Sequence, residues 1–84
     1  VDRHVDSAQK DAFMRRVASA PPTELLGSRV ANIKTFDGVK FECADDSWLL
    51  LRFSGTEPLV RVYAEGPSQE HAEALTKLGE AMLA

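Results

Sequence analysis

With 84 residues the chain should be one domain spanning 1–84, and a chain this short buries only roughly 60–65% of its unfolded surface, which leaves little room for a deep private active site. Hydrophobic residues make up 44% and charged residues 27%, an ordinary globular profile, and no apolar run approaches the ~20 residues of a membrane span. A net charge of −3 speaks against a nucleic-acid platform, which needs a basic face, but two arginines still suffice for one anion.

The chain begins at Val1 rather than Met, which fits a piece of a longer protein, and no stretch reads as a signal peptide. Val1–Val5 alternates: Val1, Arg3 and Val5 fall on one side, Asp2 and His4 on the other. It is an edge strand or a linker. Asp6-Ser7-Ala8-Gln9 starts a helix, with a short acceptor side chain and Gln three residues on. Phe13 and Val17, with Ala12 and Ala20, give that helix a modest apolar stripe, and Pro21-Pro22 ends it.

From Arg29 to Glu65 the pattern is β. "RVANIKTF" and "VKFEC" flank Asp37-Gly38, a hairpin-turn signal. A two-residue loop sets Lys34 opposite Phe41. A loop longer by one sets Thr35 opposite Phe41 and Ile33 opposite Cys43, which makes better apolar sense. "ADDS" is a second turn, leading into "SWLLLRF" and then "LVRVYAE". Gly66-Pro67-Ser68 breaks the sheet, and a closing helix over 68–83 carries Ala72, Leu75, Gly79 and Met82 on one face. The reading is an α+β two-layer sandwich: an antiparallel sheet of four strands, five if Val1–Val5 joins, with two helices on one face.

The lone cysteine, Cys43, excludes an internal disulfide, fits a reducing, cytoplasmic compartment, and reads as a small core residue. His4 and His71 have no triad or metal spacing, and Asp45-Asp46 is a polar turn too poor in ligands for a metal.

The stretch "LLLRFSGTEPLVRVYAE", residues 49–65, is the informative one. Parity puts Leu49, Leu51, Phe53, Val60, Val62 and Ala64 toward the helices. Trp48, Leu50, Arg52, Leu59, Arg61 and Tyr63 then share the open face. Pairing Arg52 with Leu59, Leu50 with Arg61 and Trp48 with Tyr63 makes the arginines diagonal neighbours, about 7–8 Å apart. Between them Gly55 permits close approach, Ser54 and Thr56 offer hydroxyls, and loop amides can cradle an anion. Pro58 fixes the exit from the loop. Glu57 suits a structuring role, accepting from loop amides or orienting an arginine. On composition alone this is a polar hairpin tip with two surface arginines, since Ser, Gly, Thr and Pro are common in turns.

The motif itself goes further. "RFSGTEPLVRVYAE" closely resembles the C-terminal domain signature of the α-D-phosphohexomutases, a family that includes phosphoglucomutase, phosphomannomutase and phosphoglucosamine mutase. The preceding "DGVKFECADDSWLLLR" is similar to the bacterial phosphoglucomutase/phosphomannomutase branch, and the likeness is specific over residues 37–66. The resemblance implies a four-domain isomerase that moves a phosphoryl group between hexose positions. A phosphoserine would lie in the first domain, Mg2+ in an aspartate-rich loop of the second, and a sugar-reading loop in the third. The fourth domain would be TATA-binding-protein-like and grip the phosphate that is not transferred. By motif match the phosphate contacts are Arg52, Ser54, Gly55 and Thr56, with Arg61 as a further contact or orienter. Glu57 and Pro58 would shape the loop. The partners implied are a phosphosugar and the other domains of the parent mutase. This chain has no phosphoserine, metal or sugar loop, so it should hold no cofactor and not turn over alone. Rival readings are a stand-alone phospholigand-binding module and a protein-interaction domain that uses Trp48 and Tyr63.

Overall fold

In the computed structural model, which describes residues 1–83, both helices start on side-chain caps. Asp6 accepts from the Gln9 amide at 2.8 Å, and the Gln9 side chain accepts from the Asp6 amide at 3.0 Å. This reciprocal pair satisfies two donors that a helix start would otherwise leave open. Ser68 accepts from the His71 amide at 3.1 Å in the same way. The elements in chain order are β1 (Asp2–His4), α1 (Ser7–Ser19), β2 (Glu24–Leu25), β3 (Ser28–Lys34), β4 (Val39–Cys43), β5 (Trp48–Phe53), β6 (Leu59–Glu65) and α2 (Gln69–Ala81).

The strands form a six-stranded sheet in the order β1-β6-β5-β4-β3-β2, antiparallel at every pairing. Two strands therefore exceed the expected four. β1 is the edge strand that Val1–Val5 allowed. β2 was not expected: it has two residues, too few to show an alternation, and its turn runs through Leu26 at φ 51 and Gly27 at φ 82. Leucine is an uncommon occupant of the left-handed region, so Gly27 alone in "LLGS" hints at that turn.

Alternation along the strands sorts the two faces. Val39, Phe41, Leu49, Leu51, Val60 and Val62 are essentially fully buried, and they meet Phe13 from α1 and Leu75 from α2 in one cluster. Both helices thus cover one sheet face, and each fully buried Leu, Val or Phe contributes roughly 1.5–3 kcal/mol. Cys43 is part of this core. A Cβ on Gly79 would lie 3.0 Å from Leu49 Cδ1, so the glycine lets α2 sit close on the sheet.

The β3–β4 register differs from both expected alignments. Ile33 pairs with Phe41, Lys34 with Lys40 and Val30 with Cys43, with a bulge between Val30 and Asn32. A strict two-residue repeat would send either Val30 or Ile33 outward. The bulge resets the parity, and both pack against the core.

At the other end of β5, the β4–β5 turn is held by Asp45. Hydrogen bonds from the buried Ser47 hydroxyl and then the Ser47 amide keep the Asp45 carboxyl below its usual range. A depressed carboxylate stabilises the fold above its unfolded value near about 4, and that contribution is lost as pH falls through the lower folded value. Ser47→Ala should therefore flatten the acid limb of stability against pH. Denaturant titrations between about pH 2 and 6 would detect it, and an unchanged acid limb would refute the assignment.

Candidate functional site

The open face of the sheet carries polar and half-buried side chains. Glu42 lies between Lys34 at 3.3 Å and Lys40 at 3.5 Å, and hydrogen bonding to Lys34, aided by Lys40, lowers its carboxyl. Lys40 also sits 4.8 Å over the Trp48 ring, whose indole N–H donates to Glu65 at 3.0 Å. Trp48 is thus engaged within its own sheet, while Tyr63 is more exposed. The expected Trp48–Tyr63 pair does not form, because Trp48 pairs with Glu65 and Leu50 with Tyr63.

The same shift applies to the arginines. Arg52 and Arg61 do share the open face, but they stand directly opposite each other rather than on a diagonal. In the expected register Phe53 would face Pro58 and the loop would be Gly55 and Thr56 alone. Instead Ser54 N donates to Leu59 O at 2.9 Å, which closes the hairpin one rung later and leaves residues 55–58 as the loop. Pro58 serves there as an acceptor, taking the Val5 amide at 2.9 Å. Ser54 Oγ accepts from the Thr56 and Glu57 amides at 3.3 and 3.2 Å and folds the loop back on itself.

Two guanidiniums directly opposite have Cβ atoms about 4.5–5.5 Å apart and repel each other. Each is given its own carboxylate. Arg52 Nε lies 3.5 Å from Asp37 Oδ2, and Arg61 Nε lies 3.7 Å from Asp2 Oδ1. A row of charges, Asp2–Arg61–Arg52–Asp37, therefore crosses one end of the sheet. Asp2 is the cross-strand partner of Arg61 on β1, and Asp37 comes from the β3–β4 turn. The separations are long for hydrogen bonds, and the groups are half-exposed, so salt screens them.

A basin of about 230 Å³ opens over this row, lined by Asp37, Arg52, Phe53, Ser54, Gly55 and Arg61. Four of the residues named from sequence thus converge on it: Arg52, Ser54, Gly55 and Arg61. Thr56 does not line it, and its amide is spent on Ser54. Glu57 and Pro58 line a different depression behind the loop, with Lys10 and Leu59. Among the described residues the Glu57 carboxylate pairs with neither arginine, and Glu57 shapes the loop through its backbone. The carboxylates that do pair with the arginines are those of Asp37 and Asp2. Asp37 belongs to a turn that the sequence predicts and Asp2 to the alternating Val1–Val5, but neither carries a local signal of its place beside an arginine.

A larger groove of about 510 Å³ follows α1, and several of its polar side chains are engaged locally. Asp6 and Gln9 form the capping box, and Arg16 donates to the Met82 carbonyl. Among the described residues no cluster of three His, Cys, Asp or Glu side chains is placed to hold a metal ion, and no helix is long and apolar enough to cross a membrane.

Residues 4–77 match the family described as phosphoglucomutase/phosphomannomutase, C-terminal domain. The chain belongs to that family. Its α+β fold with helices on one sheet face is thus that of a phosphohexomutase C-terminal domain. Relatives include a probable phosphoglucosamine mutase of Methanosphaera stadtmanae, 48% identical over 64% of this chain and 12% of the relative. Another, from Methanothermobacter thermautotrophicus, is 42% identical over 76% of this chain and 14% of the relative. A phosphoglucomutase/phosphomannomutase of Thermococcus kodakarensis is 40% identical over 96% of this chain and 16% of the relative. The chain therefore spans only 12–16% of the length of these three proteins.

Proposed function

We propose that this phosphohexomutase domain grips the non-transferred phosphate of a phosphosugar while the rest of a parent enzyme moves the other phosphoryl group. The observation that carries the reading is the opposed pair Arg52 and Arg61 at the rim of a basin headed by Ser54 and Gly55. A phosphate monoester brings about −1.5 to −2 charge and three acceptor oxygens, which suits two planar guanidinium forks. Placed between them it turns a repulsive pair into an attractive one. Gly55, with no atom within 4 Å of where a Cβ would stand, offers its backbone to an approaching oxygen, and the Ser54 hydroxyl proton remains free to donate. Thr56 would join only if the loop tightens on the ligand.

Such a grip performs no chemistry. Binding energy at the remote phosphate holds the reacting phosphate in attack geometry, which raises turnover elsewhere. Nucleophile and Mg2+ would both come from other domains of the parent enzyme. The hexose preferred would be read by other parts of the parent.

Titration with inorganic phosphate or a hexose phosphate should move the amide signals of Ser54, Gly55 and Thr56 before any others. With the hexose phosphate, binding should strengthen as pH rises from about 5 to 7, because the dianion of a phosphate monoester forms with a pKa of about 6. If the loop signals stay still at high ligand, the reading fails. A partner footprint at Trp48 and Tyr63 that ignores phosphate would favour a protein-interaction role.

A further inference from the structure

We infer that Asp37 is a positioning residue of this basin: it holds Arg52 by its Nε edge and leaves the terminal guanidinium nitrogens for the anion. The inference rests on the phosphate reading above and deepens it. Three observations carry it. Asp37 Oδ2 approaches Arg52 at its Nε, 3.5 Å away, and Asp2 Oδ1 approaches Arg61 at its Nε, 3.7 Å away, from the opposite side. Among the described residues neither guanidinium hydrogen-bonds to another protein group. Lastly, the turn bearing Asp37 is pressed onto β5 itself: a Cβ at Gly38 would fall 2.6 Å from the Leu51 carbonyl oxygen and 3.1 Å from Arg52 Cα. The carboxylate is therefore tied to the strand whose arginine it serves.

The alternative is that Asp37 competes with the anion and weakens its binding. Geometry and entropy argue for support instead. Without their carboxylates two directly opposed arginines splay into solvent, and an anion must then gather two long side chains against repulsion. With the carboxylates in place the row is balanced in charge, and each fork is already restrained on its far edge. The added negative charge repels the ligand, but both groups are half-exposed, so water weakens that repulsion as it does any surface charge pair.

The test is a phosphate titration of the full chain and of Asp37→Asn at physiological ionic strength, with Asp46→Asn as control. Asp37 sits at φ 57 and Asp46 at φ 70, and asparagine tolerates both, so each variant keeps its turn. Both remove one negative charge, but Asp46 lies at the far end of β5. Asp37→Asn should weaken phosphate by about fivefold, the range of one exposed ion pair, while Asp46→Asn leaves it unchanged or slightly tighter. In the ligand-free protein the Arg52 Nε–H resonance should move on Asp37→Asn and not on Asp46→Asn, a signature that a merely structural aspartate would not give. Equal or tighter phosphate binding by Asp37→Asn would overturn the inference and leave the phosphate reading standing. Absence of binding by the unaltered chain would overturn both.

Discussion

Arg52→Ala should weaken phosphate binding by about 30-fold or more and leave the fold intact. Hydrogen bonds to charged groups carry about 1.5–3 kcal/mol each, and an arginine can present two of them to one phosphate. The folded protein draws little from this side chain. Arg52 is about half-exposed, its contact to Asp37 is long, and it faces a like charge across the strand pair. Losing it relieves that repulsion, so the thermal midpoint should hold or rise slightly. Arg52→Lys should fall between, since lysine keeps the charge but not the planar fork. Calorimetric titration beside thermal melts separates the two effects. Within a longer mutase carrying this domain, the same change should lower kcat/KM far more than stability. If Arg52→Ala instead unfolds the domain, the arginine is structural, and the basin loses its main argument.

Much of this site was legible because strand parity is a strict two-residue repeat. The alternation in "WLLLRF" and "LVRVYAE" is enough to place both arginines on the face away from the helices, and the buried set on β5 and β6 follows from the same count. The caps were legible for a similar reason: Asp6 and Gln9 are a local pattern with a local geometry. Pairing partners were harder. The β5–β6 register turns on loop length: a two-residue loop through Gly55 and Thr56 and the four-residue loop 55–58 place Arg52 opposite different residues, and parity is the same in both. The β3–β4 register turns on a bulge, which no residue pattern announces. The counter-ions were the least legible. Asp2 reaches Arg61 only because β1 adds to β6 at the sheet edge, and Asp37 reaches Arg52 only because the β3–β4 turn lies against β5. Both depend on sheet order, which is a property of the whole fold. The step from anion basin to phosphosugar came from the family motif rather than from charge or parity.

Gly38→Ala should be the most damaging single-atom change near the site, lowering stability by about 3 kcal/mol. Gly38 has φ 121, outside the regions that L-residues adopt readily. A Cβ there would also meet backbone, the Leu51 carbonyl oxygen at 2.6 Å and Arg52 Cα at 3.1 Å, and backbone in a central strand cannot step aside. For a domain this small each 1 kcal/mol moves the midpoint by about 4–8 °C, so a fall of about 12–24 °C is expected. Gly55→Ala is the informative contrast. No atom lies within 4 Å of its Cβ position, so the melting curve should scarcely change. Its effect should appear only in phosphate binding, if the anion approaches the loop backbone closely. The two glycines thus differ by cause: Gly38 seats the turn that brings Asp37 to Arg52, and Gly55 would leave space for the proposed anion. A Gly38→Ala protein that melts within about 3 °C of the original would mean that the turn is not locked against β5, and the tie between Asp37 and Arg52 would go with it.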